Sequence, residues 1–118
     1  MAKKDQSFHD FVIEDLLGDI DGITSRAMFG GWGIYKDGFI FAIIFEGELY
    51  FKADETTSTD FEKLGSHMFV YKDGEKQSTM SYWLLPAEVQ ENREMLFQYV
   101  TKSVSAAMSA KKTRRKRK

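Results

Sequence analysis

The run from Phe39 to Phe45 constrains the fold more than any other part of the chain. Its seven residues, Phe-Ile-Phe-Ala-Ile-Ile-Phe, are all apolar, so a strand formed by them is apolar on both faces. The turn signals Lys36-Asp37-Gly38 and Glu46-Gly47 flank the run and predict that the chain reverses at both ends. A strand of this kind is stable only when both of its faces are covered, so we predict that it lies centrally in a sheet.

The segments around this strand predict an antiparallel meander after a first helix. Ser7 to Gly18 carries apolar residues at spacings of three and four, which is typical of a helix that buries one face: Phe8, Phe11, Val12 and Leu16. Residues 23–35 are rich in β-branched and aromatic types, and Glu48 to Ala53 follows the central run. Two turns therefore separate three strands within residues 23–53.

The second half of the chain predicts a helix, a hairpin and a last helix. Thr56, Ser58 or Thr59 could cap the first of these helices, and Asp73-Gly74 is a hairpin turn between Met68 and Leu84. Pro86 suits the first turn of the last helix, which we expect to run to about Ala110. One apolar stripe follows that helix: Val89, Leu96, Phe97, Val100, Val104, Ala107 and Met108.

The whole pattern predicts an α+β fold. Its element order is αβββαββα, with an antiparallel sheet of about five strands in two hairpin or meander units and helices packed on that sheet. The 118 residues contain no internal repeat and no long linker, so we expect one domain over residues 1–110.

Charge divides the chain into two parts. Residues 111–118 read Lys-Lys-Thr-Arg-Arg-Lys-Arg-Lys and hold seven of the 17 basic residues and none of the 18 acidic ones. The first 110 residues therefore carry ten basic and 18 acidic side chains, a net charge of −8. The mutual repulsion of seven cations, without apolar burial to offset it, predicts a disordered basic tail.

The tail is the strongest candidate for a nucleic-acid contact. Seven side chains would carry it: Lys111, Lys112, Arg114, Arg115, Lys116, Arg117 and Lys118. Each neutralised phosphate releases a counterion, so binding would weaken with salt at a log–log slope of up to about −6, without reading sequence. Alternatively, the tail is only a solubilising extension. Attachment to a membrane surface is less favoured, because small alanines and serines precede the tail.

Composition excludes several classes of protein. The chain has no cysteine, which rules out disulfides, zinc knuckles, iron–sulfur ligation and thiol chemistry. No apolar run approaches the roughly 18 residues of a membrane span, and acidic residues interrupt any signal-peptide pattern near the N-terminus. We therefore expect a soluble, cytoplasmic protein.

Catalytic and metal-binding signals are weak. His9 and His67 lie on different predicted elements, and no His-x-x-x-His or Gly-x-Ser-x-Gly motif occurs. No pattern brings a nucleophile, a base and an orienting group together, so we predict no enzyme, no metal site and no cofactor.

A series of spaced motifs resembles one known family. Residues 26–35, Arg-Ala-Met-Phe-Gly-Gly-Trp-Gly-Ile-Tyr, begin the series, and Leu49-Tyr50-x-Lys52-x-Asp54 continues it. The later motifs are Phe61-x-x-x-Gly65, Phe69-x-Tyr71, Met80-Ser81-Tyr82 and Pro86. Together they resemble the N-terminal domain of the TfoX/Sxy competence-regulator family over about residues 8–108.

The resemblance implies a regulatory, non-enzymatic role. Members of this family act as transcriptional co-activators of DNA-uptake genes alongside a cyclic-AMP receptor protein, so a transcription factor or polymerase is the implied partner. Full-length members carry a second, helical C-terminal domain. This sequence has the basic tail at that point, so we expect a stand-alone module.

The motif supplies the candidate interaction residues: Arg26, Met28, Phe29, Gly30, Gly31, Gly33, Tyr35, Lys52 and Tyr82. Arg26 and Lys52 could contact a small anion or nucleic acid, but we favour two cations on a solvated face, with Arg26 bonded to Asp54 or Glu48. The glycines fit a tight bend or bulge better than a phosphate loop. The many strand aromatics could stack bases, although core packing is the simpler explanation.

Three functional hypotheses follow. The first is a regulator that acts through a protein partner, with non-specific nucleic-acid affinity in its tail. The second is a protein-interaction module or homodimer with an inert tail. The third, ranked last, is a small-molecule-binding or catalytic domain that uses Arg26, the glycine loop and Lys52.

Overall fold

A six-stranded antiparallel sheet with helices packed on it forms the body of the protein. The computed structural model describes the backbone of residues 6–28, 30–73 and 76–116, and their side chains except at 6, 70–73, 76–80 and 110–116. The strands are β1 (Ile23–Met28), β2 (Gly31–Lys36), β3 (Phe39–Phe45), β4 (Glu48–Lys52), β5 (Met68–Asp73) and β6 (Lys76–Leu84). Their order in the sheet is β1-β2-β3-β4-β6-β5. The predicted α+β fold is confirmed.

The helices lie before, between and after these strands. The first has an α-helical part, α1 (Gln6–Asp10), that continues as a π-helical part (Phe11–Leu16). The others are α2 (Glu55–Lys63), α3 (Ala87–Gln90) and α4 (Arg93–Lys116). In the part of the chain that the structure describes, no helix combines the length and the apolar character needed to cross a membrane.

Strand β3 is central, as its apolar composition predicts, because it pairs with β2 on one side and β4 on the other. The count of about five strands is one too low, since residues 23–36 form two strands and not one. Met28 pairs directly with Gly31, and Gly30 adopts a φ of +81°, which glycine reaches without steric cost. The chain therefore reverses between Met28 and Gly31. This confirms the tight bend there and adds a hairpin.

The two faces of the sheet are covered differently. Every described helix contributes to one cluster, whose fully buried members include Phe41, Phe51 and Phe61, and α4 packs across β3 and β4 on this side. A second cluster consists of residues from strands: Ile43, Tyr50, Phe69 and Tyr82, with Ile40, Phe45 and Leu84 packed against them. We call the side of the sheet that carries this second cluster the strand face.

The first helix and the start of α2 both differ from what the sequence pattern predicts. The first helix widens after Asp10, where the Leu17 N–H bonds the Val12 carbonyl five residues back at 2.9 Å. This wider turn breaks the predicted stripe and leaves Phe11 exposed. Helix α2 is capped by Asp54, which lies before the three predicted candidates; its carboxylate accepts from the backbone N–H and hydroxyl of Thr57, each at 2.9 Å.

The predicted last helix is two helices, because the chain turns at Glu91 and Asn92 and the Asn92 side chain accepts from the N–H of Met95. Of the predicted stripe, Val89, Leu96, Val100 and Ala107 are buried, but Phe97 and Met108 are exposed. Helix α4 also extends past Ala110 to Lys116, since lysine and arginine are good helix formers and their charge is favourable at a helix C-terminus. That the tail acts as a separate, disordered unit stays a prediction.

Candidate interaction surface

The strand register places the family-motif residues on one side of the sheet. A row of directly paired residues crosses five strands: Arg26, Gly33, Ile43, Tyr50 and Leu84. Directly paired residues project from the same side of a sheet, and Ile43 and Tyr50 belong to the strand-face cluster. Arg26 and Gly33 therefore lie on the strand face.

The same register places the other motif residues with them. Tyr35 pairs with Ile40, which packs against the strand-face cluster, and Lys52 pairs with Tyr82, which belongs to it. The structure thus places five of the nine predicted motif residues on the strand face: Arg26, Gly33, Tyr35, Lys52 and Tyr82. Phe29 lies outside the described residues.

Two glycines of the motif allow close approach of other atoms. A Cβ on Gly33 would stand 3.0 Å from both the Met28 Sδ and the Ile40 Cδ1, so the bare glycine gives these two side chains their space on the strand face. A Cβ on Gly31 would collide with the backbone carbonyl oxygen of Ile44. The bend interpretation of this motif is therefore supported at both positions, and the following strand excludes a phosphate loop that feeds a helix.

Lys52 and Tyr82 form the most specific contact of the strand face. The Lys52 Nζ lies 5.1 Å from the centre of the Tyr82 ring, which is a cation–π distance. Tyr82 is only 8% exposed, and its burial, with a smaller contribution from the Tyr35 phenol, raises its pKa to about 12. The tyrosine is therefore a neutral hydrogen-bonding group at any physiological pH.

Aromatic rings beside this contact form a packed floor. The ring of Phe69 lies 4.9 Å from that of Tyr50 and 5.3 Å from that of Phe45, both edge-on. Burial, and the carboxylates of Glu48 and Glu46, raise the pKa of Tyr50. Because Tyr50, Phe69 and Tyr82 are buried, these rings pack a core, and stacking of bases on them is not supported.

Arg26 is exposed at the edge of this floor. The predicted bonds to Asp54 or Glu48 do not occur among the described residues. Asp54 caps α2 through Thr57, and Glu48 accepts from the Tyr50 hydroxyl at 3.5 Å. The guanidinium therefore stands at the solvent boundary of an apolar and aromatic surface, a position from which it can reach a partner.

His9 has a geometry that the sequence did not indicate. Its Nε2 lies 2.9 Å from the Ser25 Oγ, its Nδ1 lies 3.0 Å from the Asp10 carboxylate, and its ring lies 4.0 Å from that of Trp32. These are the contacts of a Ser-His-Asp triad. The cavities described along α4, beside α2 and beside Asp15 are not lined by His9 or Ser25. The contact joins α1 to β1, so we interpret it as a tether between the first helix and the sheet.

Other chemical sites find no support among the described residues. No group of three histidine, aspartate or glutamate side chains there is placed to hold a metal ion. The cavities named above are not lined by Arg26, Gly30 or Lys52, which the small-molecule hypothesis would need. The side chains of the predicted tail contacts, Lys111 to Lys116, and all of Arg117 and Lys118 lie outside the described residues.

The fold is that of a small α+β domain, with a six-stranded antiparallel sheet and helices on one side of it. The sequence matches the TfoX N-terminal domain over residues 15–107, most of the chain, and the protein belongs to this family. It is similar to Protein Sxy of Escherichia coli (strain K12), with 27% identity over 104 residues, which is 88% of this chain and 50% of Sxy. The chain thus spans about half the length of this curated relative.

Proposed function

We propose that the protein is a non-enzymatic regulator of the competence type, which acts by binding a component of the transcription machinery through its strand face. The observation that carries this proposal is that Arg26, Gly33, Tyr35, Lys52 and Tyr82, all motif residues, lie on one side of the sheet. The described helices use the other side for the core. Membership in the TfoX N-terminal domain family supports a regulatory role.

The chemistry of the strand face favours a protein partner. The exposed Arg26 and the half-buried Lys52, Tyr35 and Phe45 suit a partner surface that offers apolar contact and one or two carboxylates. Arginine is among the residue types that most often dominate the binding energy of protein interfaces. The body around it carries a net charge of −8, which opposes a large nucleic-acid contact on this face.

The basic tail supplies the second part of the proposal. Lys111 to Lys118 would contact nucleic acid non-specifically and hold the regulator near a promoter, while the strand face selects the partner. The two contacts would then act together, because a tethered second interaction raises the effective concentration of the first.

The strand-face part is tested with purified cyclic-AMP receptor protein and RNA polymerase as probes, after nuclease treatment. We expect Arg26→Ala to weaken binding to one of these proteins at least about tenfold with an unchanged melting temperature. Lys63→Ala is the matched control, since Lys63 is an exposed cation on α2. Equal binding by both variants and the parent protein would remove the strand face from the proposal.

The tail part is tested by a salt titration of DNA and RNA binding. Changing Arg114, Arg115 and Arg117 to Gln should reduce the log–log slope by about 2.7, since each phosphate contact contributes roughly 0.9. Removal of residues 111–118 should abolish binding at low salt and leave the melting temperature unchanged. An unchanged slope in the triple variant would show that the tail does not touch phosphates.

A further inference from the structure

The outer side of α4 carries an apolar stripe that the core uses only in part, since Val104 packs against the core cluster but Phe97 and Met108 are exposed. Phe97 is 38% exposed and Met108 is 42% exposed, while Thr101 is exposed and Val104 is half-buried between them. These four residues follow one another at spacings of four, three and four, which is the repeat by which one helix packs lengthwise against another. The Thr101 hydroxyl donates to the Phe97 carbonyl at 3.0 Å, so covering it would leave no unpaired hydrogen-bond donor.

A groove runs along this stripe. Its volume is about 380 Å³, and its lining is mostly apolar: Ile20, Lys36, Phe97, Val100, Thr101, Val104, Ser105 and Met108. The Lys36 Nζ is held at the border by the Asp21 carbonyl and the Asp37 carboxylate. The groove lies on the helix side of the sheet, away from the strand face.

The two ends of the stripe differ in charge. Glu88, Glu91 and Glu94 precede it and are exposed. Arg93 and Lys102 also lie on α4, but each is paired with a carboxylate at 2.9 Å, that of Asp19 and that of Asp60. Lys111 and Lys112 follow the stripe after Ser109 and Ala110, and the helix backbone continues through both. The stripe is therefore an apolar segment with an acidic end and a basic end, about 26 Å apart between Glu94 and Lys111 at 1.5 Å per residue.

We propose that a second copy of this chain covers the stripe, with the two α4 helices antiparallel about a two-fold axis. The spacing of three and four extends in both directions from the apolar residues, to Glu94 before Phe97 and to Lys111 after Met108. In the antiparallel register Phe97 faces Met108 of the second copy, and Thr101 faces Val104. Glu94 then faces Lys111 of the second copy at each end of the interface.

Charge selects this arrangement over the alternatives. A parallel pair would place seven cations of one chain beside seven of the other, which is strongly repulsive. In the antiparallel pair, the acidic end of each copy lies beside the basic end of the other copy. The two-fold axis therefore repeats the same attractive contact at both ends of the interface. One helix pair is a small interface, so we expect a weak dimer in exchange with the monomer.

The apolar part is tested by sedimentation equilibrium of the full chain after nuclease treatment. We expect Met108→Asp to weaken dimerisation at least about a hundredfold, because it buries two unpaired charges. Ser109→Asp is the matched control, since it adds the same charge at a neighbouring exposed position off the stripe. Circular dichroism and thermal melting establish that both variants fold. A parent protein that stays monomeric at every concentration, or equal effects of the two variants, would overturn the proposal.

The register is tested by a charge exchange. Glu94→Lys and Lys111→Glu should each weaken the dimer about tenfold, because each turns both end pairs from attractive to repulsive. The double variant should return to the affinity of the parent protein, because it restores opposite charges at both ends. A double variant as weak as the single ones would overturn the antiparallel register.

Discussion

Lys52 and Tyr82 face each other across the β4–β6 ladder, with the lysine ammonium 5.1 Å from the centre of the tyrosine ring. This ladder joins the two halves of the sheet, because β4 ends the first meander and β6 belongs to the later hairpin. The pair is therefore both a contact between the two sequence halves and a part of the strand face. Changes at either residue report on the junction as well as on binding.

Tyr82 should make stability fall steeply at alkaline pH. Its pKa is about 12 in the folded protein and near 10.0 in the unfolded chain, mainly because the ring is buried. The stabilisation is therefore fully present below pH 10 and is lost as the pH rises towards 12. In Tyr82→Phe the free energy of unfolding should fall less at alkaline pH than in the parent protein, by up to about 2 kcal/mol. Urea unfolding at pH 8, 10 and 11.5 measures this difference. Identical pH profiles for both proteins would contradict the burial argument.

The two glycines of the β2 strand should differ in their tolerance of a methyl group. Gly31→Ala places Cβ against the Ile44 carbonyl, which the strand ladder fixes, so we expect a loss of about 3 kcal/mol or more in the free energy of unfolding. Gly33→Ala meets the ends of the Met28 and Ile40 side chains, which can move, so we expect about 1 kcal/mol. Chemical denaturation measures both. Equal losses in the two variants would show that the mobility of the neighbouring atoms does not determine the cost of the added methyl group.

The sequence predicts the layout of the sheet where local turn chemistry determines it. Asp37-Gly38 and Glu46-Gly47 set the reversals around β3, and Asp37 and Glu46 indeed adopt positive φ values of 52° and 53°. The sequence does not predict the hairpin at Gly30, because a Phe-Gly-Gly-Trp segment lacks the usual Asn or Asp before glycine. Once that turn is known, the strand register pairs Arg26 with Gly33. This pairing places the two motif residues on the same side of the sheet.

The apolar patterns of the helices predict less about which residues are buried, because one helix can carry more than one apolar face. The stripe on the last helix combines residues that pack on the sheet, such as Leu96 and Val100, with Phe97 and Met108, which do not. Periodicity cannot separate these two sets, because adjacent positions differ by only about 100° around a helix. The tether at His9 also needs the fold, since Ser25 is 16 residues away and no local pattern links them.

Asp54 should stabilise the protein through its cap on α2. Its pKa is below the ordinary value of 3.8, first because the Thr57 backbone N–H bonds the carboxylate. The contribution is therefore present above about pH 4 and is lost as the pH falls through the lowered pKa. Asp54→Ala should cost about 1 kcal/mol at pH 7, and less at pH 3. Thr59→Ala, on the exposed side of α2, is the control, and an equal loss in that variant would argue against the cap.

The His9 tether should be measurable as a coupling between two residues. The imidazole joins the Ser25 hydroxyl at 2.9 Å and stacks on Trp32 at 4.0 Å, so it links α1 to both β1 and β2. His9→Ala should lower the free energy of unfolding by about 2 kcal/mol, because it removes the stacking and the hydrogen bond together. Ser25→Ala should cost about 1 kcal/mol, because it removes the hydrogen bond only.

The double variant distinguishes a tether from two independent contributions. If His9 and Ser25 stabilise the fold through their shared hydrogen bond, the double variant should lose about 1 kcal/mol less than the two single losses added together. A fluorophosphonate probe tests the other use of this geometry, since it labels a serine that a histidine activates. Additive losses in unfolding would argue against the tether. Labelling of Ser25 that His9→Ala abolishes would argue that the contact serves chemistry.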